Sequence, residues 1–228
     1  MDGNGRWARQ KGAARIFGHQ NAIQAVRDTV EGCAEMEIEY LTLFAFSTEN
    51  WERPKLEVEA LMTLLVNTIN DELPTLQKNN IKLRSIGEQG QLPTKVGSKL
   101  QNAIAETSGN TGLQLILALD YSGRWDISNA IAEIAKRIES KELTSYDIRD
   151  SLIEEYLSTS GIPDPELLIR TSGEQRISNF YLWQAAYSEI YFTDVLWPDF
   201  RKEHLKAAVD DFQKRERRFG KTSEQVGA

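Results

Sequence analysis

The residues best suited to chemistry in this chain lie in four short polar segments. The first begins at Met1 and places Gly3 and Gly5 ahead of Arg6. Glycine lets backbone N–H groups approach an anion closely, and a guanidinium group is a forked donor that fits phosphate. A flexible terminal turn would have the same composition, so this segment predicts a phosphate site only together with the others.

Two further cationic or titratable residues follow the first segment. A helix that begins near Arg15 would carry Arg15 and His19 on one face, because residues four apart are neighbours on a helix surface. Both side chains would then reach the same diphosphate. For His19 taken alone, an ordinary surface histidine is the alternative.

The second segment follows an apolar stretch that ends at Phe46. It offers hydroxyl, amide, indole and guanidinium groups in one predicted loop: Ser47, Asn50, Trp51 and Arg53. Loops of this kind position reactants, although a capping loop for the next helix would also use such residues. The third segment places Arg170, Arg176 and Ser178 after a short apolar run, which suits a second diphosphate.

The fourth segment contains one carboxylate, Glu189, in an apolar and aromatic stretch. A buried carboxylate is costly unless it is paired, so we expect either a metal ion or an arginine to meet it. Hard oxygen ligands beside diphosphate oxygens favour Mg²⁺.

The elements that must position these segments alternate between helix and strand. The predicted helices are 22–36, 57–77, 94–106, 126–138 and a charged amphipathic helix at 201–219, and the predicted strands are 40–46, 81–86, 113–119 and 167–169. The fold class is α/β, with residues 1–228 in a single domain built on a mainly parallel central sheet with helices on both faces. In such folds ligands gather outside the carboxyl ends of the strands, where the polar segments begin.

The bulk properties exclude several classes of protein. A net charge of -7 in 228 residues argues against nucleic-acid binding. Cys33 is the single cysteine and falls in an apolar helical pattern, which favours a buried thiol and a reducing compartment, the cytoplasm. No apolar run is long enough to span a bilayer.

Taken together, the segments resemble the cis-prenyltransferase family, to which the bacterial undecaprenyl diphosphate synthases belong. The matching blocks occur in the family's order and cover nearly the whole chain: MDGNGRWA, FGH at 17–19, AFSTENWERP at 45–54, LIRTSGEQRISNF at 168–180, WQAAYSEIYF at 183–192 and WPDF at 197–200.

The resemblance implies Mg²⁺-dependent, repeated condensation of isopentenyl diphosphate with an allylic diphosphate, commonly farnesyl diphosphate. It implies that Asp2 and Glu189 handle the metal and that Asp2 or Asn50 assists proton removal. The substrate-binding residues it implies are Gly3, Asn4, Gly5, Arg6, Trp7, Arg15, His19, Ser47, Thr48, Glu49, Trp51, Arg53, Arg170, Arg176, Ile177 and Ser178. Isopentenyl diphosphate would lie on Arg170, Arg176 and Ser178.

The resemblance also implies a homodimer in which Arg218 and Gly220 of one chain reach the isopentenyl diphosphate site of the other, and transient contact with a membrane surface on product release. In one respect the chain departs from the family, which has a strand before the Asp2 loop, whereas this sequence starts at Met1. A smaller departure is Glu166, where the family more often has aspartate. Two alternatives stay open: a non-catalytic partner subunit of a heteromeric enzyme, and a phosphate-binding kinase or nucleotidase, although the sequence has no P-loop motif to cradle a nucleotide.

Overall fold

A computed structural model describes residues 1–219 together with residues 222 and 225. The α-helices of this part of the chain are α1 (Asn4–Gln10), α2 (Arg15–Glu35), α3 (Lys55–Lys78), α4 (Thr94–Glu106), α5 (Gly123–Glu139), α6 (Asp150–Tyr156) and α7 (Lys202–Phe212). The strands are β1 (Tyr40–Ser47), β2 (Lys82–Ile86), β3 (Gln114–Tyr121), β4 (Leu167–Arg170) and β5 (Glu189–Phe192). Short 3₁₀ turns cover Thr48–Glu52, Ser145–Asp147 and Trp197–Asp199.

All the paired strands of the described chain run parallel, so the predicted α/β class is confirmed. β1, β3 and β2 form one sheet in that order, and β4 pairs with β5 in a second, two-stranded sheet. Parallel pairing requires a crossover between strands, and α3 and α4 supply it for the larger sheet. The single central sheet predicted from the sequence is thus divided into two ladders among the described residues.

The larger sheet is covered on both faces, as its nearly continuous apolar strands require. Leu43, Leu115 and Leu119 belong to a core that also takes in buried residues of α2, α3, α4 and α7. Ile116 and Ala118 belong to a second core on the other face, with Tyr181.

Two backbone irregularities change the face of the sheet to which side chains at the strand ends point. Successive strand residues point to opposite faces, so Tyr121 should share a face with Leu119. Asp120 has a left-handed φ of 50°, however, and Tyr121 lies in the other core. In β1 the register shifts between Phe44 and Phe46, which brings Phe46 into the larger core. Both shifts occur at the carboxyl ends of the strands.

The first residues are fixed to the end of β4. Asp2 N donates to Thr171 Oγ1 at 2.9 Å, and Trp197 N donates to Asp2 O at 2.9 Å. The segment predicted as a loop from Gly3 to Arg6 becomes the first turn of α1, with Gly3 as its N-cap at φ 102°. A Cβ at Gly3 would lie 2.9 Å from Leu196 Cδ2, so both backbone angle and space require glycine there.

The last predicted helix is shorter than expected, since α7 ends at Phe212 instead of residue 219. Arg215 turns the chain back: its Nη1 donates to Glu189 Oε2 at 2.9 Å and to Ile190 O at 3.1 Å. α7 buries Leu205 and Ala208 in the core, as expected of an amphipathic helix. Gly220 lies outside the described residues.

Two smaller expectations concern chemistry away from the site. Cys33 is 1% exposed, and burial raises the pKa of its thiol to about 12, so the predicted buried thiol is confirmed. Among the helices of the described residues, none is both long and apolar enough to cross a membrane.

Candidate active site

A cavity of about 780 Å³ opens at the carboxyl ends of β1 and β4 and continues between α2 and α3. Its mouth is polar and rich in guanidinium groups: Arg6, Arg15, Arg53, Arg170 and Arg176. Its inner part is apolar and is lined by Ala22, Ile23, Val26, Phe44, Phe46, Leu61, Leu64, Leu65 and Leu119. The cavity therefore joins an anion-binding mouth to a space suited to a hydrocarbon chain.

At the centre of the mouth Asp2 and Arg170 form an ion pair. Arg170 Nη2 donates to Asp2 Oδ2 at 2.8 Å, and Gly3 N donates to Asp2 Oδ1 at 2.7 Å. Burial opposes ionisation of Asp2, but the Gly3 N–H and the Arg170 guanidinium outweigh it and lower the pKa of the carboxyl below its ordinary value. Asp2 is thus an ionised carboxylate at the cavity wall.

The helix faces of α1 and α2 meet tightly at this mouth. A Cβ on Gly18 would lie 2.0 Å from Asn4 O, so only glycine permits this approach. Gly5 makes room for Arg15 in the same way, since its Cβ would lie 2.8 Å from Arg15 Nε. The two glycines bring Asn4 and Arg15 to the same part of the cavity wall. Gly18 falls within the FGH block of the sequence but was not among the predicted site residues.

His19 lies on this wall and is neutral at neutral pH. Its Nδ1 is 3.4 Å from Asn4 Nδ2, the amide being the donor when that nitrogen carries no proton. Burial, reinforced by the positive charge of Arg53, lowers the pKa of His19 to about 4. The imidazole therefore offers hydrogen bonds to a ligand without adding a charge.

Glu57 orders two of the arginines and was missed by the sequence analysis. Its Oε1 accepts from Arg15 Nη1 at 3.3 Å and from Arg53 Nη1 at 3.2 Å. The side chain of Glu57 is 16% exposed, so the shared carboxylate holds both guanidinium groups at the mouth. Arg53 and Glu57 are four residues apart, at the start of α3, and that spacing was the available signal.

Glu174 bridges two other arginines across the mouth. Its Oε1 accepts from Arg6 Nη2 at 2.9 Å, and its Oε2 accepts from Arg176 Nη1. A carboxylate between two guanidinium groups has the charge and geometry of a bound anion. Sequence reasoning treated Glu174 only as part of a motif, because nothing in its spacing shows that Arg6 lies opposite.

The second and third segments are joined by a hydrogen bond. Asn179 Nδ2 donates to Glu49 Oε1 at 2.7 Å, which ties the turn after β1 to the segment that carries Arg176 and Ser178. Burial raises the pKa of Glu49, but this bond and other hydrogen bonds to its carboxylate lower the pKa by more than burial raises it. The net shift is therefore downward. At the start of the turn, Ser47 N donates to Asn50 Oδ1 at 3.2 Å, so Asn50 also acts as a cap.

The predicted site residues divide into two groups in the described part of the chain. The cavity is lined by Asp2, Gly3, Asn4, Gly5, Arg6, Arg15, His19, Ser47, Glu49, Asn50, Arg53, Arg170, Arg176 and Ser178. The predicted residues outside its lining are Trp7, Thr48, Trp51, Ile177 and Glu189.

The two tryptophans have other contacts. Trp7 is 8% exposed, and its Nε1 donates to Asp199 Oδ1 at 2.8 Å. Trp51 packs edge-on against Phe46 with ring centroids 4.9 Å apart, and its Nε1 donates to Asp120 Oδ1 at 2.8 Å. Both rings support the walls of the site from outside the cavity. Aromatic residues satisfy core packing and ligand contact with the same sequence pattern, so the sequence could not separate the two.

Glu189 and Asp2 are not brought together within this chain. Glu189 pairs with Leu167 at one end of the two-stranded sheet, whereas Arg170, the partner of Asp2, lies at the other end beside Phe192. We expected either a metal ion or an arginine beside Glu189, and the structure shows an arginine, Arg215. No cluster of three or more potential His, Cys, Asp or Glu metal ligands occurs among the described residues.

Comparison with known proteins gives one consistent result. The family model Prenyltransf, for undecaprenyl diphosphate synthase, matches residues 1–220. An isoprenyl transferase of Porphyromonas gingivalis is 51% identical over 226 residues, which are 99% of this chain and 89% of the relative. A ditrans,polycis-undecaprenyl-diphosphate synthase ((2E,6E)-farnesyl-diphosphate specific) of Coxiella burnetii is 50% identical over 226 residues, 99% of this chain and 95% of the relative.

Solved structures agree with these relatives. Lavandulyl diphosphate synthase from Lavandula x intermedia, in complex with dimethylallyl diphosphate, superposes with a TM-score of 0.93 at 34% identity, covering 97% of this chain and 95% of that one. A probable undecaprenyl diphosphate synthase from Campylobacter jejuni gives a TM-score of 0.79 at 36% identity, covering 88% and 92%. The chain therefore belongs to the undecaprenyl diphosphate synthase family of cis-prenyltransferases.

Proposed function

We propose that this protein condenses isopentenyl diphosphate repeatedly onto an allylic diphosphate, farnesyl diphosphate, with cis double bonds. The product is undecaprenyl diphosphate or a similar polyprenyl diphosphate, from which the lipid carrier of cell-wall synthesis is made. The observation that carries the proposal is the continuous cavity, whose arginine-rich mouth leads to an apolar space between α2 and α3. A chain that grows at its diphosphate end needs this arrangement.

The two diphosphates are assigned to different sides of the mouth. The allylic diphosphate lies on the first turn of α1 with Arg15 and His19, and its tail enters the apolar part. Isopentenyl diphosphate lies on Arg170, Arg176 and Ser178, which line the same cavity. Guanidinium groups bind both diphosphates through forked hydrogen bonds, and holding the two substrates together makes the condensation effectively unimolecular.

Mg²⁺ fits the donor set at Asp2. Magnesium in proteins is commonly held by one or two carboxylates and by substrate phosphates, and the Asp2 side chain is ionised, 41% exposed and part of the cavity wall. When bound, the ion stabilises the charge of the departing diphosphate. Glu189 lies at the opposite end of the two-stranded sheet from Arg170, the partner of Asp2, so one chain does not bring it to this site.

The chain's own residues perform the remaining steps. Arg15, Arg53 and the first turn of α1 hold the leaving diphosphate, and Ser47 and Asn50 face the region where the two substrates meet. The proton lost from isopentenyl diphosphate leaves in this region, and Asp2 and Asn50 are the two candidates to assist its removal. The low pKa of Asp2 makes it a weak base, which favours its role as a cation ligand.

The homodimer and the membrane contact are finer parts of the same proposal. Aromatic residues are exposed around β5: Tyr187 is 67%, Phe192 41% and Phe219 55% exposed, a surface that suits a second copy of the chain. Leu56, 81% exposed at the start of α3, would meet a membrane surface. Sedimentation velocity tests the first and vesicle co-sedimentation tests the second. Cytoplasmic localisation remains a prediction.

A turnover assay tests the proposed function. Purified protein is incubated with farnesyl diphosphate, radiolabelled isopentenyl diphosphate and Mg²⁺, and the extracted products are sized. We expect label in chains of many isoprene units with cis double bonds. Absence of incorporation would contradict the proposal and would favour the non-catalytic subunit, while a product limited to one condensation would contradict repeated elongation.

A further inference from the structure

A second cavity, of about 510 Å³, lies on the other side of α3 from the active-site cavity. Val58, Met62 and Val66, spaced four apart along one face of α3, contribute to it. The other face lines the active-site cavity through Leu61, Leu64, Leu65 and Thr68. α3 is therefore the wall between the two cavities, and Met62 belongs to both.

The second cavity combines an apolar interior with a cationic rim. Val58, Val66 and Val96 line it and are buried. Its rim carries three cationic side chains and one carboxylate: Arg53, Lys55, Lys95 and Glu59. Lys55 Nζ is 3.9 Å from Glu59 Oε1, and Arg53 is paired with Glu57 at 3.2 Å. Lys95 has no ion pair among the described residues, so three cations face two carboxylates at this rim. In a protein with a net charge of -7, this local excess of positive charge beside apolar surface suits an anionic amphiphile.

The length of the cavity favours a single hydrocarbon chain. The residues of α3 that line it run from Lys55 to Asn67. Twelve steps along a helix correspond to about 18 Å at 1.5 Å per residue. A volume of about 510 Å³ along that length has room for one hydrocarbon chain.

We propose that this second cavity binds one single-chain anionic amphiphile, an alkyl or prenyl phosphate. Its phosphate lies at Arg53, Lys55 and Lys95, and its chain lies along Val58, Met62 and Val66. Because Arg53 and Met62 line both cavities, an occupant also changes the wall of the active site. That effect on turnover rests on the proposed function, whereas binding itself does not.

Photolabelling with a synthetic amphiphile tests the proposal directly. The probe is dodecyl phosphate with a diazirine at the end of its chain, and labelled peptides are identified by mass spectrometry. We expect labels near Thr63 and Asn67, which lie toward the end of the chain and line only the second cavity of the two. The probe also fits the active-site cavity, and labels at Ile23 or Val26 report that occupancy separately.

Two variants and one matched control decide the assignment. Lys95→Glu should reduce labelling of the second cavity by about tenfold, because reversing the charge replaces attraction by repulsion. Lys136→Glu, an exposed lysine on α5 that lines neither cavity, should leave labelling unchanged and controls for net charge. Thr63→Phe, which fills the cavity from an exposed position, should abolish labelling there.

The proposal is wrong if labels occur only at the active-site cavity, or if neither Lys95→Glu nor Thr63→Phe lowers labelling of the second. Equal labelling by a dodecyltrimethylammonium analogue would also overturn it, because the rim would then not select anions. A protein that fails the turnover assay can still be labelled in the second cavity. The two proposals therefore succeed or fail independently.

Discussion

Trp51 donates its indole N–H to the buried carboxylate of Asp120 at 2.8 Å. Asp120 is 1% exposed, and its second oxygen, Oδ2, finds no hydrogen-bond partner among the described residues. Burial raises the pKa of this carboxyl above its ordinary value, as does the nearby charge of Glu88. The bond links the turn after β1, which carries Asn50 and Arg53, to the end of the central strand β3.

The first prediction concerns this bond. Asp120→Ala should destabilise the protein by about 1–3 kcal/mol, because it leaves the Trp51 N–H unpaired. Asp120→Asn should be as stable as the parent or more stable at pH 7, because asparagine keeps the acceptor, carries no buried charge and tolerates a φ of 50°. Urea unfolding measures both.

The pH dependence of the same comparison has a definite sign. A carboxyl whose folded pKa is raised binds a proton more readily in the folded state, so its ionisation costs stability as pH rises through that pKa. Any gain in stability of Asp120→Asn over the parent should therefore be largest at pH 7. It should shrink as the pH falls toward 3.8, the ordinary pKa of an aspartate carboxyl. A constant advantage at every pH would contradict the buried charge.

The second prediction concerns His19. Its folded pKa of about 4 lies below the ordinary value of 6.5, so between these values the unfolded chain binds a proton that the folded protein does not. This residue should therefore lower stability as pH falls from 6.5 to 4. His19→Gln should remove that part of the pH dependence when unfolding is compared at pH 7 and pH 5. An unchanged slope would mean that His19 is not buried as the neutral form.

The third prediction concerns the anion mimic at the mouth. Glu174→Gln should lower the KM for isopentenyl diphosphate by about two- to five-fold, because removing an exposed ion pair worth about 0.5–1 kcal/mol frees Arg176. Arg176→Ala should instead raise this KM about ten- to a hundred-fold, which corresponds to a loss of about 1.5–3 kcal/mol of binding free energy. Steady-state kinetics with each substrate varied in turn separates the effects. A larger rise for farnesyl diphosphate than for isopentenyl diphosphate would reverse the assignment of Arg176.

The fourth prediction concerns the metal. Asp2→Asn should lower turnover by about 100-fold or more, because it removes the ionised ligand that would hold Mg²⁺ beside the diphosphates. Excess chelator should silence the parent enzyme, and added Mg²⁺ should restore it. Circular dichroism of the variant checks that the fold survives the loss of the Arg170 ion pair. Full activity of the parent in chelator would contradict a role for the metal.

The fifth prediction concerns chain length. Val26→Trp should shorten the products, because Val26 lines the apolar part of the cavity and a larger ring obstructs the growing tail. Ile131→Trp is the control, since Ile131 is 57% exposed on α5 and does not line the cavity. Thin-layer sizing of labelled products compares the two variants. Products of unchanged length from Val26→Trp would mean that the tail leaves by another route.

Local sequence patterns were sufficient for the three strands of the larger sheet and for the helices between them, but β5 was not predicted. The helix predicted at 94–106 is α4 with the same bounds, and the apolar run at 113–119 became β3. α1 escaped detection because Gly3 at its N-cap and Gly5 in its first turn are typical of a loop, whereas the helix is held by contacts with distant residues, Gly18 and Asp199. α7 ends earlier than predicted, and beyond its end Arg215 bonds to Glu189, a partner far away in sequence.

The site was predictable where a residue acts through its own chemistry. The arginines that were predicted to follow strand ends line one cavity, because the carboxyl ends of parallel strands lie at the same edge of a sheet. Glu57 and Glu174 were missed because they act on arginines of other segments, and such pairs exist only after folding. The face change at Asp120 depends on a backbone angle that the sequence does not show.

A crystal structure with farnesyl thiodiphosphate, a slowly reacting analogue, tests directly the proposal that one cavity holds both the diphosphate and the growing chain. We expect the diphosphate at the first turn of α1 beside Arg15, and the farnesyl tail between α2 and α3 in contact with Val26 and Leu65. A tail found in the cavity on the other side of α3, or a diphosphate bound away from Arg15, would contradict it.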